Sequence, residues 1–140
     1  MKRKIRVNQT RSGRADDKYN MITAVLFVYN ESKYIDEAIT SILNQTVPVS
    51  SIIVCDDFST DDTFEKIQEL KNNLSGKIRL VRNKKKGKSN AYREALLKVE
   101  TEFFFVCAGD DKIGNCYVQD MFNFLANYSI TCAFAAPTWC

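Results

Sequence analysis

The chain has 140 residues, with 20 Lys plus Arg, 17 Asp plus Glu and no His, giving a formal charge of +3. At 45% hydrophobic and 26% charged residues it has the make-up of one globular domain, which excludes disordered, collagenous and low-complexity classes. No apolar run approaches the ~20 residues of a membrane span, no signal-peptide pattern is present, and the lack of His excludes Ser-His-Asp triads, Cys-His dyads and His-bearing zinc sites within these residues.

The charge is unevenly placed. Residues 1–20 carry seven bases and two acids, a net of +5, and the remaining 120 residues have a net of −2. The basic segment has no apolar face and reads as a solvated, disordered tail, with peripheral contact to an anionic membrane surface as its functional alternative. Residues 21–140 form the expected domain.

The first apolar run, Ile22–Val28, is near-continuous in Ile, Val, Leu and Phe and predicts a buried strand. Tyr34, Ile35, Ala38, Ile39, Ile42 and Leu43 then mark one face of a helix of about 13 residues. A second strand is expected at Ser51–Cys55. A second helix carries Phe64, Ile67, Leu70 and Leu74, opened by the cap-like hydroxyls and acids of Ser59-Thr60-Asp61-Asp62. A third strand, Ile78–Val81, precedes a helix marked by Ala91, Ala95, Leu96 and Val99. A fourth, Phe103–Cys107, precedes one marked by Val118, Met121, Phe122 and Leu125, and a fifth is expected at Ile130–Ala135. Strand starts fall 29, 27, 25 and 27 residues apart, the spacing of successive βα units. The fold expected is α/β, a Rossmann-like doubly wound and mostly parallel sheet.

Five cysteines, at 55, 107, 116, 132 and 140, form no C-x-x-C pair. An odd count without metal-ligand spacing suggests free thiols in a reducing, cytoplasmic setting.

In such sheets ligands bind beyond the carboxyl ends of the strands. The unusual polar groups cluster there: Tyr29-Asn30-Glu31 after strand one, Asp56-Asp57 after strand two, Arg82-Asn83 and the run Lys84–Lys88 after strand three, and Gly109-Asp110-Asp111 after strand four. Paired carboxylates on a tight loop suit a hard cation such as Mg²⁺ or Mn²⁺, which phosphate oxygens would complete. The lysines and the helix start near Ser89 add positive charge, Tyr29 can stack on a base, and Asp57 can accept from a base or ribose. Each feature alone has an ordinary structural explanation in turns, caps and solvated loops. Their joint placement fits a metal-bound nucleoside diphosphate.

These residues also resemble a family. Val25–Asn44 reads VLFVYNESKYIDEAITSILN, followed by Gln45-Thr46, then IIVCDDFSTDDT at Ile52–Thr63 and FFFVCAGDD at Phe103–Asp111. This is similar to the nucleotide-sugar-binding half of family 2 glycosyltransferases of the GT-A fold, over about residues 21–136. The resemblance implies a glycosyltransferase that takes sugar from a UDP-sugar and passes it to an acceptor hydroxyl with inversion, in glycan or polysaccharide synthesis. It implies nucleotide-sugar contacts at Phe27, Tyr29, Asn30, Glu31, Asp56, Asp57, Lys88, Asn90 and Asp110, with Asp56 supporting its turn. The metal, Mg²⁺ or Mn²⁺, falls to Asp110 and Asp111. The expected partners are the UDP-sugar and a glycan, lipid-linked or protein acceptor, with no nucleic acid.

Three positions depart from the family pattern. Ala108 stands where many members have the first acid of Asp-x-Asp-Asp. Tyr92 stands where an Arg often follows the third-strand loop, which leaves Lys88, rather than Arg93, as the phosphate contact. The acceptor half and the catalytic base of inverting members are expected beyond Cys140, so no residue here is assigned as base.

Other readings fit less well. Gly87-Lys88-Ser89 suggests a P-loop, but the first glycine of that motif is replaced by Arg82. A nucleotidylyltransferase would need a Gly-rich loop after strand one, and a receiver domain would place its acid pair there. A catalytically incomplete nucleotide-sugar-binding module remains as the non-enzymatic alternative.

Overall fold

Four of the apolar runs form strands in the computed structural model, which describes residues 21–74 and 76–128. In chain order these are β1 (Ile22–Val28), α1 (Ile35–Leu43), β2 (Ser51–Asp56), α2 (Thr63–Asn73), β3 (Ile78–Arg82), α3 (Lys88–Leu96), β4 (Phe103–Ala108) and α4 (Tyr117–Tyr128). The expected fifth strand at Ile130–Ala135 and the basic segment 1–20 lie outside the described residues.

The sheet is parallel throughout, in the order β3-β2-β1-β4. One core joins Leu26, Ile52, Val54 and Phe105 of the sheet to Ile35, Ile39 and Ile42 of α1, Ile67 of α2 and Val118 of α4. The opposite face packs Val25, Ile53 and Cys55 against Ala91 and Ala95 of α3. Helices on both faces explain why β1 and β2 are apolar without alternation, and they make the sheet doubly wound, as expected. Phe104 and Val106 of β4 lie exposed, on the strand bordering the sheet among the described residues.

Register brings the functional loops together. Val28 lies opposite Asp56, Asp56 opposite Arg82, and Phe27 opposite Ala108. The four strands therefore end within one step of each other, and the residues after them share one rim.

Two local expectations need correction. The first helix runs nine residues rather than about 13, because the Gln45 side chain captures the Ser41 carbonyl (3.0 Å) that the next helical N–H would have used. Gln45 is buried, and its amide also donates to the Gly114 carbonyl (2.7 Å) and accepts from the Val118 N–H (3.0 Å). It thereby pins the segment between β4 and α4 against α1. At α2 the hydroxyls of Ser59 and Thr60 do not cap. Asp61 accepts from the Thr63 N–H (3.1 Å) and hydroxyl, and its second oxygen from the Ser32 N–H (3.2 Å).

Candidate functional site

The turn after β1 is built to be held by the loop after β2. Asn30 takes a positive φ of 56°, a conformation that Asn tolerates better than most residues. Its N–H donates to the Ser59 hydroxyl (3.0 Å), and its side-chain oxygen accepts from the Thr60 N–H (2.8 Å) and hydroxyl (3.3 Å). Phe58 takes φ 64°, an uncommon conformation for an aromatic, at the turn between Asp57 and this network. Asp56 is fully buried, and both its oxygens accept from the Ser59 N–H at 3.3 Å, with Arg82 Nε at 3.8 Å. Asp56 thus braces its own turn.

Asp57 organises the loop after β3. Its Oδ1 accepts from Asn83 Nδ2 (2.7 Å) and the Gly87 N–H (2.8 Å), and its Oδ2 lies 3.0 Å from the same Gly87 nitrogen. Gly87, at φ 128°, occupies the cap position of α3, where a side chain would be strained. Because this N–H is committed to Asp57, the loop does not offer the open phosphate cradle of a P-loop. Asn83 was not singled out from the sequence as a site residue. Its signal was a neutral amide directly after a strand and ahead of four lysines.

The cations of this loop divide by partner. Arg82 packs over Phe64, 4.4 Å from the ring centroid, beside Asp56, and Lys84 pairs with Glu94 at 3.5 Å. Lys86 lies 4.7 Å over the Tyr29 ring, with Nζ 3.3 Å from its hydroxyl. Lys88 is exposed in the first turn of α3, and Asn90 Nδ2 donates back to the Lys86 carbonyl at 3.4 Å. Phe27 is half-buried and stacks on Tyr92, ring centroids 3.7 Å apart. Tyr92 thus serves an aromatic contact.

Asp110 and Asp111 are exposed after β4, and Asp111 Oδ2 accepts weakly from the Ala108 N–H at 3.4 Å. Glu31 reaches this loop from the first turn. A Cβ placed on Gly109 would fall 2.0 Å from Glu31 Oε2 and 2.5 Å from Val28 Cγ1, so only glycine allows the approach. Glu31 Oε2 is buried without a partner. Burial, and then the charge of Asp110, push the Glu31 carboxyl up to about 7, against main-chain hydrogen bonds from Tyr29 and Gly109. An orphaned carboxyl oxygen beside two more acids fits a cation better than an empty loop. Among the described residues no three His, Cys, Asp or Glu side chains make a ready ligand set, so these residues fit a cation as part of its coordination shell.

The rim of a parallel α/β sheet, with a base-sized aromatic, a lysine loop and an acid pair, is the architecture of a GT-A glycosyltransferase. The chain matches the model of glycosyl transferase family 2 over residues 23–138, and it belongs to that family. It is 39% identical over 64 residues to an uncharacterized glycosyltransferase of Haemophilus influenzae, covering 46% of this chain and 20% of that protein. It is 29% identical over 105 residues to the poly(ribitol-phosphate) β-N-acetylglucosaminyltransferase TarS of Staphylococcus aureus, covering 74% of this chain and 18% of the relative. The fold superposes on the crystal structure of S. aureus TarS 1–349 in complex with UDP with a TM-score of 0.68 and 26% identity, over 78% of this chain and 33% of that one. A mannosyltransferase from Pyrobaculum calidifontis, in complex with GDP-Man and Mn²⁺, shares the fold at a TM-score of 0.70 and 23% identity, over 78% of this chain and 33% of its own. The chain spans about a fifth of the length of the first two relatives.

Proposed function

We propose that residues 21–140 form the donor-binding domain of an inverting glycosyltransferase that takes a UDP-sugar with Mg²⁺ or Mn²⁺ and serves glycan or polysaccharide synthesis. The observation that carries this reading is the convergence of Tyr29, Asp57, the Lys84–Lys88 loop and Asp110-Asp111 on one rim, in a family 2 chain similar to a UDP-binding relative.

In this reading Tyr29 stacks on the uracil. Asp57, which keeps acceptor capacity beyond its contacts to Gly87 and Asn83, accepts from the base. Phe27 and Tyr92 wall the pocket, Asn30 and Asp56 hold its turns, and the Glu31 side chain turns towards the acid loop. Lys88, Asn90 and the start of α3 face the diphosphate. Asp110 and Asp111 hold the cation, which when bound neutralises the leaving diphosphate. The acceptor is a hydroxyl of a glycan, lipid-linked or protein substrate. The buried free thiols of Cys55 and Cys107 suit a reducing cytoplasm, and the basic segment 1–20 offers peripheral contact with an anionic membrane. Among the described residues no helix is long and apolar enough to cross one.

Calorimetry with UDP, with and without Mn²⁺, tests the reading on wild type and on the Asp110→Ala/Asp111→Ala double variant. Binding should tighten with Mn²⁺ in wild type only. Metal-independent binding unchanged by the double substitution would remove the cation site, and thermal stabilisation by ATP but not UDP would remove the uridine assignment.

A further inference from the structure

Of the residues in the first turn, Glu31 is the one whose side chain turns towards the acid loop. Its main chain is fixed on both sides: the N–H donates to Thr63 Oγ1 (2.8 Å), and the carbonyl accepts from Tyr34 (2.9 Å) and Ile35 (3.0 Å). The side chain is therefore aimed by α1 and α2 at the Gly109 backbone, where Oε2 ends buried and unpartnered. Gly109 in turn is tied to β1 through its N–H and the Phe27 carbonyl (3.2 Å), and Asp111 closes a turn onto Ala108 (3.2 Å). A displacement of Gly109 would carry the acid pair with it.

We propose that Glu31 is a positioning residue for the cation site, whose side chain seats the Gly109 backbone and with it the Asp110-Asp111 pair. This rests on the donor-site reading above. Glu31 acts through Gly109, since no three carboxylates of the described residues converge as ligands. An unpaired buried carboxyl oxygen next to two acids is unfavourable to the empty fold. Lys112, which follows the acid pair in sequence, is drawn instead to Glu37 at 3.8 Å. Strain of this kind, kept at a rim where nothing in the core requires it, is what a bound cation would relieve.

The test measures Mn²⁺ binding in the presence of UDP, by the loss of the free-ion electron paramagnetic resonance signal, together with uridine affinity and melting temperature. Glu31→Gln, Gly109→Ala and Asp110→Asn are compared with wild type. Glu31→Gln should lose roughly tenfold or more in Mn²⁺ affinity, as supporting partners of metal sites commonly do. It should keep uridine affinity within about twofold and melt no lower than wild type, because an orphaned anionic oxygen has been removed. Gly109→Ala, whose Cβ displaces the carboxylate, should show the same Mn²⁺ loss. If Glu31→Gln binds Mn²⁺ like wild type while Asp110→Asn does not, the positioning role is overturned and the donor site stands. A parallel fall of melting temperature, uridine and Mn²⁺ binding would overturn it too, by making Glu31 merely structural. If Asp110→Asn retains full Mn²⁺ affinity, the cation-site reading fails and the inference fails with it.

Discussion

Replacing Asp57 with Ala should damage the fold and the loop after β3 together. Asp57 is nearly buried, and its carboxylate takes the Asn83 amide and the Gly87 N–H. A hydrogen bond to a charged group contributes about 1.5–3 kcal/mol, and leaving its buried partner unsatisfied is what makes removal costly. Asn83 is itself buried, and its amide nitrogen would keep only a long contact, 3.3 Å, to the Gly87 carbonyl. Gly87 is half-buried and can turn to water, so its loss lies at the low end of that range. The expected destabilisation is about 3–4 kcal/mol in urea unfolding, a large share of the ~5–15 kcal/mol typical of a domain. Asp57→Asn separates the two roles. It keeps one acceptor oxygen for Gly87 and Asn83 and should cost only about 1 kcal/mol, but it can place a donor against the donor N–H of uracil. UDP affinity should then fall by roughly tenfold or more, out of proportion to stability. An Asp57→Ala chain within about 1 kcal/mol of wild type would refute the account of Asp57 as the anchor of this loop. An Asp57→Asn chain that binds UDP normally would refute its contact with the base.

Lys86→Met should leave uridine binding nearly unchanged and weaken UDP binding about threefold to tenfold, with a shallower salt dependence, because its charge, held over Tyr29 at the rim, attracts a diphosphate and not a neutral nucleoside. Equal loss for uridine and UDP would instead make it a packing residue. The Glu31 carboxyl, raised from 4.5 to about 7 by burial and Asp110, contributes stability that is complete below pH 4.5 and is lost as pH rises through 7. The full shift corresponds to about 3 kcal/mol, and its partial exposure to solvent reduces this to about 1–2 kcal/mol. Urea midpoints at pH 5 and 8 should differ less in Glu31→Gln than in wild type; equal differences would refute the burial of this charge. Asp61 has the opposite sign: burial opposes its ionisation, but bonds from Thr63 and Ser32 hold it down to about 2, so its contribution is present above pH 3.8 and is lost as pH falls through 2. Burial pushes the thiols of Cys55 and Cys107 up to about 11 and 12, so at pH 8 an alkylating reagent followed by peptide mass spectrometry should label Cys116 and spare both until urea is added. Rapid native labelling of Cys107 would contradict the packing beneath β4.

The strands were legible because burial on both faces leaves no alternation to mistake, and the rim followed because parallel strands of similar length must end together. What the chain order hides is pairing. Asn83 and Asp57 are 26 residues apart, and Asn30 reaches Ser59 and Thr60 across 29 and 30. Sequence showed each as a polar residue after a strand, which is equally the signature of a ligand contact and of a loop brace. Gln45 is a stronger case, since an amide three residues before a proline gives no hint that it will end α1 and satisfy three groups in the core. Glu31 differs again. The family resemblance implies a nucleotide contact for it, and nothing in the sequence signals that its side chain meets the glycine of a loop that the chain reaches 78 residues later. Residues of the Tyr-Asn-Glu and Asp-Asp motifs are therefore divided between two kinds of work. Tyr29 leaves an aromatic face open, and Asp57 retains unshared acceptor capacity. Asn30 spends its oxygen on the loop after β2, and Asp56 spends its own on the turn it opens. On the proposed reading the division gives each motif a use for the others: the groups offered to the nucleotide are held in place by loop braces from different parts of the chain.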